Sequence, residues 1–75
     1  MKTIESETEI MHEIFSRKNG KEAVEALEYM STLSNYYHDN LDGNAELSSQ
    51  GREIKVNWVY QKVLVFLDTG ERMIK

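Results

Sequence analysis

The chain has 75 residues, of which 13 are acidic and 9 basic, so its formal net charge is −4. Nucleic acids and anionic membrane surfaces bind clustered Lys and Arg, and this composition disfavours both as partners. The absence of Cys excludes a disulfide framework and a thiolate metal cage, and two His residues are too few for a His-rich metal site. Because the four Gly are scattered singly, no phosphate-binding glycine loop is present. We therefore predict no metal and no cofactor.

A chain of this length forms one domain, here residues 1–75, whose core rarely supplies more than ~3 to 5 kcal/mol. With neither disulfide nor metal to assist folding, we expect a homo-oligomer. The opening Met1-Lys2-Thr3-Ile4-Glu5 is not a secretory leader, and no apolar segment is long enough to span a bilayer. We predict a cytoplasmic location.

Two helices are predicted in the first half of the chain. Met1 to Lys18 is amphipathic and Asn19-Gly20 is typical of a helix end, after which a second helix runs from Lys21 to about Leu41. The expected buried residues are Ile10, Met11, Ile14 and Phe15 in the first helix, and Ala23, Ala26, Leu27, Met30, Leu33, Tyr37 and Leu41 in the second. A short connection makes the two helices antiparallel neighbours.

The segment from Glu53 to Leu67 is the expected centre of the core. Its first half alternates apolar and polar residues, and five consecutive apolar residues follow from Val63, which indicates a central β-strand. Asp68-Thr69-Gly70 then predicts a hairpin turn, with 71–75 as a returning strand and 45–48 as a short edge strand. The predicted fold is α+β: two N-terminal antiparallel helices packed on a small antiparallel C-terminal sheet.

An all-α three-helix bundle is the alternative. Val59, Tyr60, Val63, Phe66 and Leu67 also lie on one helical stripe, which would make a third helix from about Asn57 to Asp68 with Gly70 as its stop. We prefer the strand because the valines lose side-chain freedom in a helix.

Two segments invite a metal-binding interpretation. His38 to Gly43 resembles a calcium loop in its Asp, Asn and Gly, but alignment on Gly43 puts His38 and Ser49 where carboxylates are required. Glu9, His12 and Glu13 share a helix face, yet zinc would need His38 as a further ligand. No spacing predicts an activated nucleophile with its base, so we predict that the protein is not an enzyme.

The remaining features are surfaces. Glu22, Glu25 and Glu28 form an acidic helix face that could dock onto a basic protein, and Tyr36 and Tyr37 are aromatic side chains of the kind enriched at interfaces. Three tyrosines in this region exceed what one stripe can bury, so at least one is exposed. The predicted function is that of a small regulator or inhibitor that binds another protein through these five residues.

The alternative predicted function is the binding of a small molecule. A nucleotide or phosphorylated metabolite could be bound or sequestered in a pocket between subunits, since cations near a helix N-terminus attract phosphate. The residues predicted to line that pocket are Arg17, Lys18, Lys21, Tyr36 and Tyr37.

Overall fold

A computed structural model describes residues 3–74, and every regular element in that range is helical. The three α-helices are α1 (Glu7–Arg17), α2 (Gly20–Tyr36) and α3 (Ser49–Thr69). A π-helical turn (Tyr37–Leu41) extends α2, and a 3₁₀ turn (Ala45–Leu47) precedes α3. Residues 3–74 contain no strand, so the predicted α+β fold with a C-terminal sheet is wrong. The fold is all-α.

The two predicted N-terminal helices are present with shorter bounds. α1 begins after the extended Ser6 and has Glu7 and Glu9 in its first turn and Arg17 in its last, which suits the helix dipole. It buries Ile10 and Ile14. Phe15 was expected in the same stripe but is 56% exposed, because two buried residues one turn apart already fill the contact of this short helix. Residues 1 and 2 of the predicted helix lie outside the described range.

The π-helical turn changes what the end of α2 buries. The amide of Asp42 donates to the carbonyl of Tyr37 at 2.9 Å, five residues back. This wider turn rotates the following side chains away from the positions that a continuing α-helix would give them. Leu41, predicted to be buried, is consequently 53% exposed, whereas Tyr37 at the start of the turn is buried.

α3 replaces the predicted central strand. The Ser48 hydroxyl accepts a hydrogen bond from the Gly51 amide at 3.0 Å and so caps the N-terminus of α3. The helix begins at Ser49, eight residues before Asn57, the start expected in the all-α alternative. At the other end, Gly70 is left-handed (φ 76°) and its amide donates to the Phe66 carbonyl at 2.8 Å. The Asp68-Thr69-Gly70 segment is therefore a helix end, and residues 71–74 form no returning strand; Lys75 lies outside the described range. Residues 45–48, predicted to be an edge strand, instead form the 3₁₀ turn and the N-cap of α3.

The core lies between the three helices. Its fully buried side chains include Ile4, Ile10, Ile14, Leu33 and Val63, and α3 contributes Val56, Val59, Tyr60, Val63 and Leu67. Within residues 3–74, no helix combines the length and apolar character needed to cross a bilayer.

Both terminal segments pack on this core. The backbone of Ile4 is held by the side chain of Asn57, which accepts from the Ile4 amide at 3.0 Å and donates to its carbonyl at 2.7 Å. After α3, the Met73 amide donates to the Tyr29 hydroxyl at 2.7 Å, and the Arg72 guanidinium lies 4.8 Å from the Phe66 ring centroid. Hydrogen bonds thus hold Ile4 and Met73, which lie outside the helices, against α3 and α2.

Candidate functional site on the outer face of α3

The side of α3 that points away from the core is also apolar. Ile54 is 55% exposed and Val65 is 49% exposed, although both are large aliphatic side chains in the middle of a helix. They are eleven residues apart, which is about three turns, so both project from the same face. Leu64 on that face is half-buried. An amphipathic helix normally presents polar residues at such positions, so this face stands out as a contact surface.

These residues line an open groove, which we call the α3 groove. Its volume is about 780 Å³, and its lining residues are Thr3, Glu53, Ile54, Asn57, Tyr60, Gln61, Leu64 and Val65. Thr3 belongs to the N-terminal segment that Asn57 holds through Ile4. One wall of the groove is therefore fixed to α3 by two hydrogen bonds.

Asn57 and Gln61 supply the two side-chain amides of the groove, which is also lined by the hydroxyl-bearing residues Thr3 and Tyr60. Both N–H groups of the Asn57 amide are used, because its nitrogen also donates to the Glu53 carbonyl at 2.8 Å. Gln61, one turn later, is exposed. An amide in the middle of an apolar stripe can both donate and accept a hydrogen bond, and a polar residue at such a position sets the register of a helical partner.

The charges of the groove are acidic. Glu53 is the one charged residue of its lining, and Asp68 follows one turn beyond Leu64. The basic residues near the start of α3 serve the 3₁₀ turn instead: Lys55, 5% exposed, places its Nζ 2.7 Å from Glu46 Oε1, and Arg52 donates to the Glu46 carbonyl at 3.1 Å. The hydrogen bond and charge of Lys55 hold the pKa of the Glu46 carboxyl below its usual range.

The predicted tyrosines belong to a neighbouring aromatic cluster. The ring of Tyr36 is parallel to that of Trp58, with centroids 6.2 Å apart, and Tyr37 meets Trp58 at 5.3 Å. Lys62 covers the Trp58 ring with its Nζ 5.6 Å from the centroid. Tyr37 is buried and Tyr36 is 36% exposed, so the expectation that one tyrosine reaches solvent is met by Tyr36. Tyr37 offers little surface to a partner.

The predicted acidic face is divided. Glu22 and Glu25 line a second cleft of about 510 Å³ together with Lys18, Phe66, Leu67, Asp68, Gly70 and Arg72. Glu28 is exposed and lies about 120° around α2 from Glu22, since a helix has 3.6 residues per turn. Tyr36 is about 21 Å along α2 from Glu22. The structure thus does not bring the three glutamates and the two tyrosines together on one surface of a single chain.

The predicted basic pocket residues contact carboxylates of the same chain. Arg17 lies 2.8 Å from Asp68 and 3.5 Å from Glu13, and Lys18 lies 3.4 Å from Glu22. Lys21 is exposed. A phosphate would have to compete with these carboxylates, and Tyr36 and Tyr37 lie at the opposite end of α2. One chain does not form the predicted pocket.

The metal-ligand candidates are also dispersed. His38 lies beside its neighbour Asp39, with Nδ1 3.1 Å from Oδ1, in the π-helical turn. In the part of the chain that the structure describes, no three His, Asp or Glu side chains are gathered as a metal ion would require. Glu9, His12 and Glu13 remain on α1.

Sequence reasoning missed the α3 groove. The available signal was the uninterrupted apolar run from Val63 to Leu67. A helix or strand that buries only one face has polar residues on the other, so this run indicates apolar residues on both faces. Read as a strand, this run required cover on both faces of a sheet. Read as a helix, it places Val65 on the side opposite Val63 and Leu67, with Leu64 between the two sides.

None of the protein families, characterised proteins or solved structures compared with this chain matches it.

Proposed function

We propose that this chain is an interaction protein that regulates or inhibits another protein by binding it in the α3 groove, acting in the cytoplasm and without a catalytic step. The observation that carries the proposal is the half-exposure of Ile54 and Val65 on one face of a capped, well-packed helix. When a partner covers the exposed half of these two side chains, each contributes about 1 kcal/mol to the binding free energy. Ile54 and Val65, with Leu64 between them, are thus apolar anchors that a partner protein can contact.

The shape of the groove supports a protein partner over a small ligand. Small-molecule sites are usually clefts that enclose most of the ligand surface. The α3 groove instead runs along three turns of one helix, with the N-terminal segment as a wall. This arrangement is typical of surfaces that receive an extended or helical segment of a partner, read through anchors at helical spacing.

The groove supports this function better than the set of Glu22, Glu25, Glu28, Tyr36 and Tyr37. That set is divided between the two ends of α2, and its Tyr37 is buried. The groove residues, in contrast, share one continuous face. The homo-oligomer expected from chain size stays a prediction, and mass measurement in solution is its test.

A capture experiment tests the proposal. The wild-type protein and the double variant Ile54→Ser/Val65→Ser are used as baits in lysate of the cells that express the protein, and bound proteins are identified by mass spectrometry. The matched control is Phe15→Ser/Val24→Ser, which removes two aliphatic or aromatic side chains of similar exposure (56% and 51%) from α1 and α2. Melting curves establish that all three baits are folded.

We expect the groove variant to lose a specific partner that the wild type and the control variant both retain. A second control, charge reversal at Glu22, Glu25 and Glu28, is expected to leave capture unchanged. Equal capture by the groove variant and the wild type would contradict the proposal, and loss on charge reversal alone would assign binding to the acidic residues.

A further inference from the structure

We infer that the α3 groove receives an amphipathic helix of another protein whose apolar stripe is flanked at both ends by Lys or Arg. This inference rests on the proposed function and adds the chemistry of the partner. It follows from the distribution of charge along the outer face of α3, which is uncharged between Glu53 and Asp68 and carries these two acidic residues at its ends.

The acidic ends differ in how far they are neutralised. Glu53 forms no ion pair with any residue in the described range 3–74, and its side chain is exposed. Asp68 accepts from Arg17 at 2.8 Å, but its side chain remains 64% exposed. Arg17 also contacts Glu13, and Lys18, Arg72, Glu22 and Glu25 line the cleft beside Asp68, so four carboxylates outnumber three cations there. The attraction for a cation is therefore stronger at Glu53 than at Asp68.

Within residues 3–74, none of the side chains between these two ends on the outer face is basic, although Lys62 and Arg72 line a cleft with Val65 at its edge. The residues of that face, in order, are Glu53, Ile54, Asn57, Gln61, Leu64, Val65 and Asp68. Lys62 projects to the flank and lies over Trp58, while Lys55 is buried against Glu46. The face is thus complementary to an apolar stripe with positive ends, and charge complementarity of this kind selects partners and raises association rates.

The spacing defines the partner further. Ile54 and Val65 are separated by about 16 Å along the helix axis, and Glu53 and Asp68 by about 22 Å. Helices that pack side by side cross at about 20°, so a partner helix follows α3 over this length. It needs an apolar stripe of about three turns and basic residues about 15 positions apart. Gln61 lies near the centre, where it can bond a polar residue of the partner.

A second copy of this chain fits the face poorly. In a parallel pair, each Glu53 and each Asp68 meets its own equivalent. In an antiparallel pair that places Ile54 opposite Val65 of the other copy, Glu53 comes level with Phe66 and within one turn of Asp68. Both orientations bring like charges together, which disfavours association. The same acidic ends disfavour polyanionic partners such as nucleic acid.

Two synthetic helical peptides of equal length test the inference. Both carry the same Leu stripe over three turns, and they differ only in the residues at the two ends, which are Lys in one and Glu in the other. Binding to the full chain is followed by ¹H–¹⁵N NMR titration. We expect the Lys peptide to bind about tenfold more tightly at low salt, with the difference shrinking as ionic strength rises.

The amides that shift should be those of Ile54, Gln61 and Val65. Glu53→Lys is expected to reduce the preference for the Lys peptide several-fold, since it inverts the unneutralised end of the face. The matched control is Glu28→Lys, an equal charge change at an exposed glutamate on α2, which should leave the preference unchanged. Neither substitution removes an apolar contact from the core.

Three results would overturn the inference: equal or tighter binding of the Glu peptide, shifts located away from the α3 groove, or a stable homodimer abolished by Ile54→Ser/Val65→Ser. The capture experiment distinguishes this failure from that of the proposed function. Capture that depends on Ile54 and Val65, without a peptide charge preference, would leave the proposed function standing and reject only the basic partner. Capture that ignores the groove would reject both.

Discussion

Helices α2 and α3 are packed against each other but differ in what they leave exposed. α2 buries a single stripe that includes Ala26, Met30 and Leu33, while its outer side exposes Glu28 and one aliphatic side chain, Val24 (51%). α3 buries its inner stripe and still exposes Ile54 and Val65. A helix with one apolar stripe is satisfied by one neighbour, whereas a helix with two has apolar surface that nothing in residues 3–74 covers. This difference is the reason for proposing the interaction surface on α3.

The largest expected effect is the difference between the two sides of α3. Leu67→Ala removes a buried side chain from the inner face and should destabilise the protein by about 2 to 5 kcal/mol, which is comparable with the whole stability of so small a domain. Ile54→Ala on the outer face should change stability by about 0.5 kcal/mol or less. Urea unfolding followed by circular dichroism measures both. Similar losses for the two variants would mean that the outer face is covered.

Within the α3 groove, Tyr60 belongs to the core, and Asn57 has a structural role through its hydrogen bonds to Ile4. Asn57→Ala removes both hydrogen bonds to Ile4 and should cost about 1 to 3 kcal/mol, because the Ile4 amide and carbonyl lose their partner in a partly buried site. Hydrogen exchange at the Ile4 amide should accelerate with it. Gln61→Ala, one turn later on the same face, is the control and should leave both measurements near the wild-type values.

The helix end at Gly70 allows a smaller test. Gly70→Ala should cost about 1 kcal/mol, since its φ of 76° is unfavourable for a residue with a Cβ atom. Gly70→Asn should cost less, because Asn tolerates the left-handed conformation. Thermal unfolding of the two variants ranks them. If the Gly70→Ala variant were as stable as the wild type, residue 70 would not have the left-handed conformation that ends α3.

The smallest expected effect is the pH dependence of the Glu46–Lys55 pair. Since the folded-state pKa of Glu46 is lowered by Lys55, this pair stabilises the protein above the ordinary glutamate value of about 4.3. That contribution is lost as the pH falls through the lowered pKa. Glu46→Gln should therefore be less stable than wild type at pH 7, and the difference should close in strong acid. Urea unfolding across this range measures it, and a gap that widens in acid would contradict the assignment.

Much of α1 and α2 could be predicted from the residues alone. Apolar side chains at three-and-four spacing, acidic residues at the start of α1 and the Asn19-Gly20 break define two helices joined by a short connection. The errors were local. Phe15 and Leu41 share the helical spacing of the buried residues, and they are exposed because a short helix fills its contact with fewer side chains and because the π-helical turn rotates the chain after Tyr37.

The conformation of Glu53 to Leu67 could not be decided in the same way. Over a short apolar run, alternation and helical spacing overlap, and the valines favour a strand by only a few tenths of a kcal/mol each. A strand also needs neighbouring strands for its backbone amides and carbonyls, and residues 45–48 and 71–75 offer short ones. A helix satisfies those groups internally. Capped by Ser48 and packed against α1 and α2, the helix is therefore the stable form.

The sequence by itself determined the number of amphipathic stripes: one in each N-terminal helix and an apolar excess in the segment around Val63. Only the tertiary structure decided which apolar residues of α3 meet the core, because that depends on where α1 and α2 leave space. It also decided that Glu22, Glu25, Glu28, Tyr36 and Tyr37 do not lie on one surface of a single chain, since side chains on one helix separate by about 1.5 Å per residue and turn around its axis. The α3 groove is what remains exposed once that packing is complete.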